Sequence, residues 1–93
     1  MGGNLLGIRI EIPNHLLHFV DNNKIVEVKG RTVRECLINL AWKYPAMMSE
    51  MFDTNGELGV IVLHGEVPID DITLTAPVKD GDTIGLFPII VGG

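Results

Sequence analysis

Between Thr32 and Tyr44 apolar residues recur at helical spacing, and this is the one long segment of the chain that reads so clearly as a helix. Val33, Cys36, Leu37, Leu40, Ala41 and Tyr44 fall on one stripe, and such a stripe has to be buried against something. Thr32 followed three residues later by Glu35 reads as a capping box, and Pro45 disfavours helical geometry in the residue before it. One helix cannot cover itself, so the partner layer must come from the flanking strands.

Those strands are legible. Leu6, Ile8, Ile10 and Ile12 alternate with Gly7, Arg9 and Glu11, the period-two pattern of a half-buried strand that Pro13-Asn14 ends. Val26 and Val28 alternate with Ile25, Glu27 and Lys29, after the turn-forming run Asp21-Asn22-Asn23. Past the helix, residues 46–52 read as a further helical turn, with Met47, Met48 and Met51 as gap-filling core. Asp53-Thr54-Asn55-Gly56 is a loop. Val60-Ile61-Val62-Leu63 is apolar at every position, as in a strand buried on one face and covered, or partly so, on the other. His64-Gly65-Glu66 turns the chain, and residues 67–69 return as a short edge strand before Asp70-Asp71. Residues 76–82 are turn-rich and lead into a last strand over 83–89.

A sheet of four or five strands with one helix across it buries both apolar surfaces in a single two-layer core. The expected fold is therefore α+β, a mixed sheet with the first and last strands parallel at its centre, the β-grasp arrangement. It would form one domain, 1–93, with a flexible tail at 89–93. The length suits one small core and no more.

Composition excludes several functions. A formal charge of −5 argues against nucleic acid, whose phosphates need a basic stripe, and favours a partner with a basic docking groove. No apolar run approaches the length of a membrane span, and Met1-Gly2-Gly3-Asn4 lacks a basic leader, so a cytoplasmic protein is expected. Leu6 stands where a myristoylation signal would need Ser or Thr. The single cysteine, Cys36, can form neither an internal disulfide nor a metal cage, and its place on the helix stripe makes it a core side chain. His15 and His18 lack a third ligand nearby, His64 lies in a separate turn, and no metal site is expected. Glu66, Asp70 and Asp71 read as a solvated edge that discourages strand aggregation. Leu16, Leu17, Phe19 and Val20 are unusually apolar for a connection; they either close one end of the core or meet another subunit.

The C-terminal segment is more specific. Val78-Lys79-Asp80-Gly81-Asp82-Thr83-Ile84, then Phe87-Pro88-Ile89-Ile90-Val91-Gly92-Gly93, resembles the closing segment of the molybdopterin synthase small subunit and its thiamine-carrier-like relatives, the ubiquitin-fold sulfur carriers. The shared pattern is an Asp-Gly-Asp turn, a hydrophobic strand, a proline-containing exit and a terminal diglycine. The helix and the apolar strand after it fall in matching order, so the resemblance covers most of the chain.

That resemblance implies a chemistry located at Gly93, with Gly92 beside it. An E1-like adenylyltransferase activates the terminal carboxylate with ATP, and a sulfur donor replaces AMP to leave a thiocarboxylate. A synthase such as the molybdopterin synthase large subunit then accepts the sulfur. The carrier has no self-contained active site and binds no cofactor; ATP belongs to the activating partner. Glycines suit a tail that threads a narrow channel, because a missing Cβ lets the backbone approach closely. The family resemblance alone picks no pathway. The length and the long segment between helix and third strand resemble the molybdopterin and cysteine-biosynthesis carriers more than the shorter thiamine carrier, and molybdenum or tungsten cofactor synthesis is the first expectation. The alternatives are a carrier for cysteine, thiamine or another sulfur metabolite, a ubiquitin-like modifier conjugated through Gly93, and a binding module with no tail chemistry.

Alternation along the last strand supplies a partner surface. With Ile84 and Leu86 toward the helix, Gly85 and Phe87 face the opposite side of the sheet. Ile61 and Leu63 are expected inward and Val60 and Val62 outward, so that Phe87, Val60 and Val62, continued by Ile90 and Val91, form an exposed docking patch beside the tail.

Overall fold

The computed structural model describes residues 7–90. Chain order is strand β1 (Gly7–Glu11), a 3₁₀ helix (Asn14–Val20), β2 (Ile25–Lys29), helix α1 (Val33–Lys43) and helix α2 (Met47–Met51). There follow β3 (Ile61–His64), β4 (Val67–Ile69), a 3₁₀ turn (Thr73–Thr75) and β5 (Thr83–Phe87). The sheet runs β2-β1-β5-β3-β4. β1 and β5 are parallel neighbours, with Ile10 opposite Ile84, and the other three pairings are antiparallel. This is the β-grasp fold.

The helix starts where its capping residues stand. Glu35 N donates to Thr32 Oγ1 at 3.1 Å, and Glu35 Oε1 accepts from Arg31 N at 2.8 Å. The returning carboxylate thus reaches one residue further back than a standard capping box, to the residue before the cap. Val33, Cys36, Leu37, Leu40 and Ala41 are all buried and Tyr44 packs partly against the same core. From the sheet, Ile8, Ile10, Val26, Val28, Ile84 and Leu86 meet them. Gly30, at the turn between β2 and α1, is there for close approach: a Cβ on it would lie 2.7 Å from Cys36 Sγ and 3.0 Å from Cys36 N.

The apolar connection after β1 closes one end of the core. Leu16 and Val20 are buried and Leu17 and Phe19 pack against them. Pro13 leads into this 3₁₀ helix in extended geometry, and Asp21 and Asn22 end it with φ of 55° and 60°, a conformation that short polar side chains tolerate. A segment of this length is too short to display a helical period, so its sequence reads only as apolar. Met47 and Met51 are buried as expected of core methionines, whereas Met48 is 43% exposed and belongs to the surface rather than the core. Leu6 and residues 91–93 lie outside the described residues, and with them most of the expected flexible tail; Ile89 and Ile90, its first part, are exposed.

Candidate functional site

The residues that resemble a family signature build the support of the last strand. Lys79 to Asp82 form a turn in which Asp82 N donates to Lys79 O at 2.9 Å and Lys79 N donates to Asp82 Oδ2 at 2.8 Å. Gly81, third in that turn, has φ of 87°, which a side chain would strain. The turn also fixes β1: Gly7 N donates to Asp80 Oδ1 at 2.8 Å, Gly81 N to Gly7 O at 2.8 Å, and Arg9 N to Asp82 O at 2.9 Å. Asp80-Gly81-Asp82 therefore registers β5 beside β1.

β5 then carries the chain toward its C-terminus. Ile84 and Leu86 are buried against the helix layer and Phe87 is 42% exposed on the other face, as alternation predicts. Pro88 lacks an N–H for the ladder and keeps Phe87 extended, so pairing stops at Phe87 and the chain leaves the sheet there. Gly85 is buried on the outer face because the Phe87 ring lies over it. A Cβ on Gly85 would stand 2.9 Å from Phe87 Cε2 and 3.6 Å from Glu11 Oε1.

The expected patch needs one correction. Val60 and Val62 are buried, while Ile61 is 45% exposed and Leu63 is partly exposed. Antiparallel pairing sets the parity: Val62 lies opposite Leu86 and Ile61 opposite Phe87, and directly opposed residues share a face. Four consecutive apolar residues show no alternation of their own, so the facing could not be read from β3 alone. The outward residues are therefore Ile61 and Leu63 beside Phe87. Across the sheet Leu63, Gly85, Glu11 and Ile25 fall in one row, with Pro68 beyond Leu63. Glu11 is the charged member of that row. Ile89 and Ile90, both exposed, extend the apolar surface along the exit. Val91, Gly92 and Gly93, the remaining expected site residues, lie outside the described residues.

None of the described residues that are buried is polar or charged, and none of them forms a group of three or more His, Cys, Asp or Glu that could hold a metal. Cys36 is buried and its thiol is pushed up to about 11, by loss of hydration first and then by the charges of Glu35 and Asp82. Among the described residues the one titratable pair is His64 Nε2 with Asp82 Oδ2 at 2.7 Å. It sits where β5 begins, at the opposite end of that strand from Phe87 and the exit. Among the described residues no helix is long and apolar enough to cross a membrane.

Residues 10–93 match the ThiS family. Comparison with curated protein sequences gives no significant match. A chain of the Amycolatopsis orientalis BexX/CysO complex is 27% identical, covering 92% of this chain and 99% of its own, with a TM-score of 0.80. Small archaeal modifier protein 1 (SAMP1) of Haloferax volcanii is 26% identical over 94% of this chain and 99% of its own, with a TM-score of 0.79. A putative molybdopterin converting factor subunit 1 from Pyrococcus furiosus shares the fold at 15% identity, with a TM-score of 0.71 over 91% of this chain and 99% of its own. The fold is the ubiquitin-like one of sulfur carriers and modifiers.

Proposed function

This chain belongs to the ThiS family, and from that membership we propose that it is a sulfur carrier working through the carboxylate of Gly93. The carboxylate oxygen attacks the α-phosphorus of ATP on an E1-like enzyme, forming the acyl adenylate and releasing pyrophosphate. Hydrosulfide then attacks the acyl carbon and loses its proton, AMP departs with the oxygen that bridged the acyl carbon to phosphorus, and a thiocarboxylate remains. The observation that carries this reading is the family match reaching Gly93 on a body whose described residues bury no polar or charged side chain. The reacting group is then at the end of the chain, and the body serves to be recognised.

Recognition falls to the outer sheet face. A diglycine alone offers too little area for useful affinity, and Phe87, Ile61 and Leu63 lie where the chain exits. The ring of Phe87 is seated on Gly85, so it meets a partner in a set position at low entropic cost. Phe87→Ala should weaken association with the activating enzyme by ~1–3 kcal/mol. Gly85→Ala should do so as well, because the new methyl displaces the ring.

For the sulfur acceptor, the chain's length and the long segment between α1 and β3 resemble the molybdopterin and cysteine-biosynthesis carriers more than the shorter thiamine carrier, and the synthase of molybdenum or tungsten cofactor formation is the acceptor we put first. A second reading, conjugation through Gly93 as a protein modifier, has the likeness to the modifier SAMP1 behind it. Both begin with the same adenylation. ATP–pyrophosphate exchange by the cognate E1-like enzyme should therefore depend on this chain and vanish when Gly93 is deleted. Undiminished exchange with the Gly93-deleted chain rejects the shared first step.

A further inference from the structure

At the far side of the sheet from β3 and β4, β2 forms an edge. Ile12 N donates to Lys24 O at 2.8 Å, so alternate carbonyls from Lys24 onward face β1 and those between them face away. The outward carbonyls are indeed met from the helix: Lys43 Nζ donates to Glu27 O at 3.1 Å and Asn39 Nδ2 to Lys29 O at 2.6 Å. In an antiparallel ladder a residue's N–H and C=O point the same way. The N–H groups of Glu27 and Lys29 therefore also face outward, and no strand of the described residues pairs with them. Each carbonyl keeps a second lone pair for another donor.

Beside this edge runs a groove of about 570 Å³ between β2 and α1, lined by Glu27, Val28, Lys29, Asn39, Trp42 and Lys43 among others, two cations to one carboxylate. Trp42, the chain's single tryptophan, is 80% exposed at its rim. An indole left in water next to a groove and an unpaired strand edge is an apolar anchor without a partner. Charge says what the partner carries. Residues 24–43 carry five of the chain's seven Lys and Arg residues, Lys24, Lys29, Arg31, Arg34 and Lys43, against two acids, Glu27 and Glu35; Lys29 and Lys43 line this groove, while Arg34 lines another beside α2. The chain as a whole has a net charge of −5. Among the described residues none of the five is in an ion pair, and the Glu35 carboxylate between them is engaged by the Arg31 amide.

We propose that the groove between β2 and α1 docks an extended acidic segment of a protein partner, which adds as a strand to β2 and lays an apolar side chain against Trp42. Backbone hydrogen bonds along Glu27 and Lys29 supply the alignment, and the basic side chains select acidic residues flanking the anchor. A second copy of this chain is a poorer occupant. Antiparallel pairing of two β2 strands about Glu27 would set two carboxylates opposite each other, which is destabilising. This surface is separate from the Phe87 face, so it stands or fails independently of the tail chemistry.

The test uses the full chain and Trp42 fluorescence. The probe is a pool of short blocked peptides, each a mixed run of valine, isoleucine, leucine and threonine followed by glutamates, with a matched pool ending in lysines. The acidic pool should shift Trp42 emission to shorter wavelength and slow amide exchange at Glu27 and Lys29. The lysine pool should do neither. Lys43→Glu should weaken the response by about tenfold, with Lys43→Gln intermediate and circular dichroism confirming that both variants fold. The proposal is overturned if the acidic pool gives no response at its highest soluble concentration, or if both pools respond equally. Protection appearing at Ile61 and Phe87 instead overturns it too, as does a peptide-free dimer that protects the same β2 amides.

Discussion

The Asp82 carboxylate accepts from His64 Nε2 and from the Lys79 amide, and both bonds favour its ionised form. An ionised carboxylate only accepts, so Nε2 of His64 carries the proton. The Asp82 pKa is accordingly lowered from its ordinary 3.8, by the His64 bond first and the Lys79 bond second. A depressed carboxylate pKa adds stability above the unfolded-state value and loses it as pH falls through the folded-state value. Chemical denaturation across the acid range should show that loss below pH 3.8, and Asp82→Asn should flatten it while lowering stability at neutral pH by about 1 kcal/mol. Asp70, also lowered by its bonds to Thr73, keeps a part of the acid dependence in the variant. Cys36 behaves oppositely: with its thiol pushed up to about 11, it stays protonated at neutral pH. Alkylation in the native protein should be slow and become rapid in denaturant, and Cys36→Ala should retain full sulfur transfer, since the proposed reacting group is the Gly93 carboxylate. The placement of Cys36 was legible because helix spacing assigns a face to each position. The roles of Asp80 and Asp82 were not, because hydrogen bonds to Gly7 and His64 span distances in sequence that no local pattern encodes.

At the level of elements, α1 is held by packing rather than by its own propensity. Leu40 is wholly buried, and Leu40→Ala should cost ~2–5 kcal/mol in thermal or denaturant unfolding. Gly30 sets how closely α1 approaches the end of β2. The atoms in the way of a side chain there include Cys36 N as well as Cys36 Sγ, so rotation of the thiol alone cannot relieve the contact. Gly30→Ala should destabilise by ~1–3 kcal/mol, and pairing it with Cys36→Ala should recover only part of the loss. β1, β2, β4 and β5 were readable because each shows alternation or is framed by turn residues. β3 was found but its facing was reversed: Val60 to Leu63 offers no polar residue to mark a side, and Phe87 across the ladder decides it. The 3₁₀ helix at Asn14–Val20 is legible only as apolar, since its burial depends on the open end of the core that it fills.

For the whole molecule, the parallel pair β1 and β5 puts the exit of the chain in the middle of the sheet, so both neighbouring strands shape what surrounds it. On one side β3 offers Ile61 and Leu63; on the other β1 offers Glu11. Phe87 lies between them. The tail therefore leaves from the centre of an apolar surface bearing one carboxylate, which suits a partner that binds body and tail together. Ile61→Ala should weaken binding to the activating enzyme in calorimetric titration by ~1 kcal/mol or more, with Val62→Ala lowering stability instead. The opposite result would return the docking face to Val60 and Val62. The central claim is that Gly93 carries the sulfur. Its most direct measurement is intact-mass and C-terminal fragment analysis of the full chain after incubation with the E1-like enzyme, ATP and sulfide. The account predicts a gain equal to the mass difference between sulfur and oxygen, confined to the fragment that ends in Gly93 and absent when Gly93 is deleted. An unchanged terminal mass under conditions where the enzyme consumes ATP with this chain, or the gain appearing at Cys36, would contradict it.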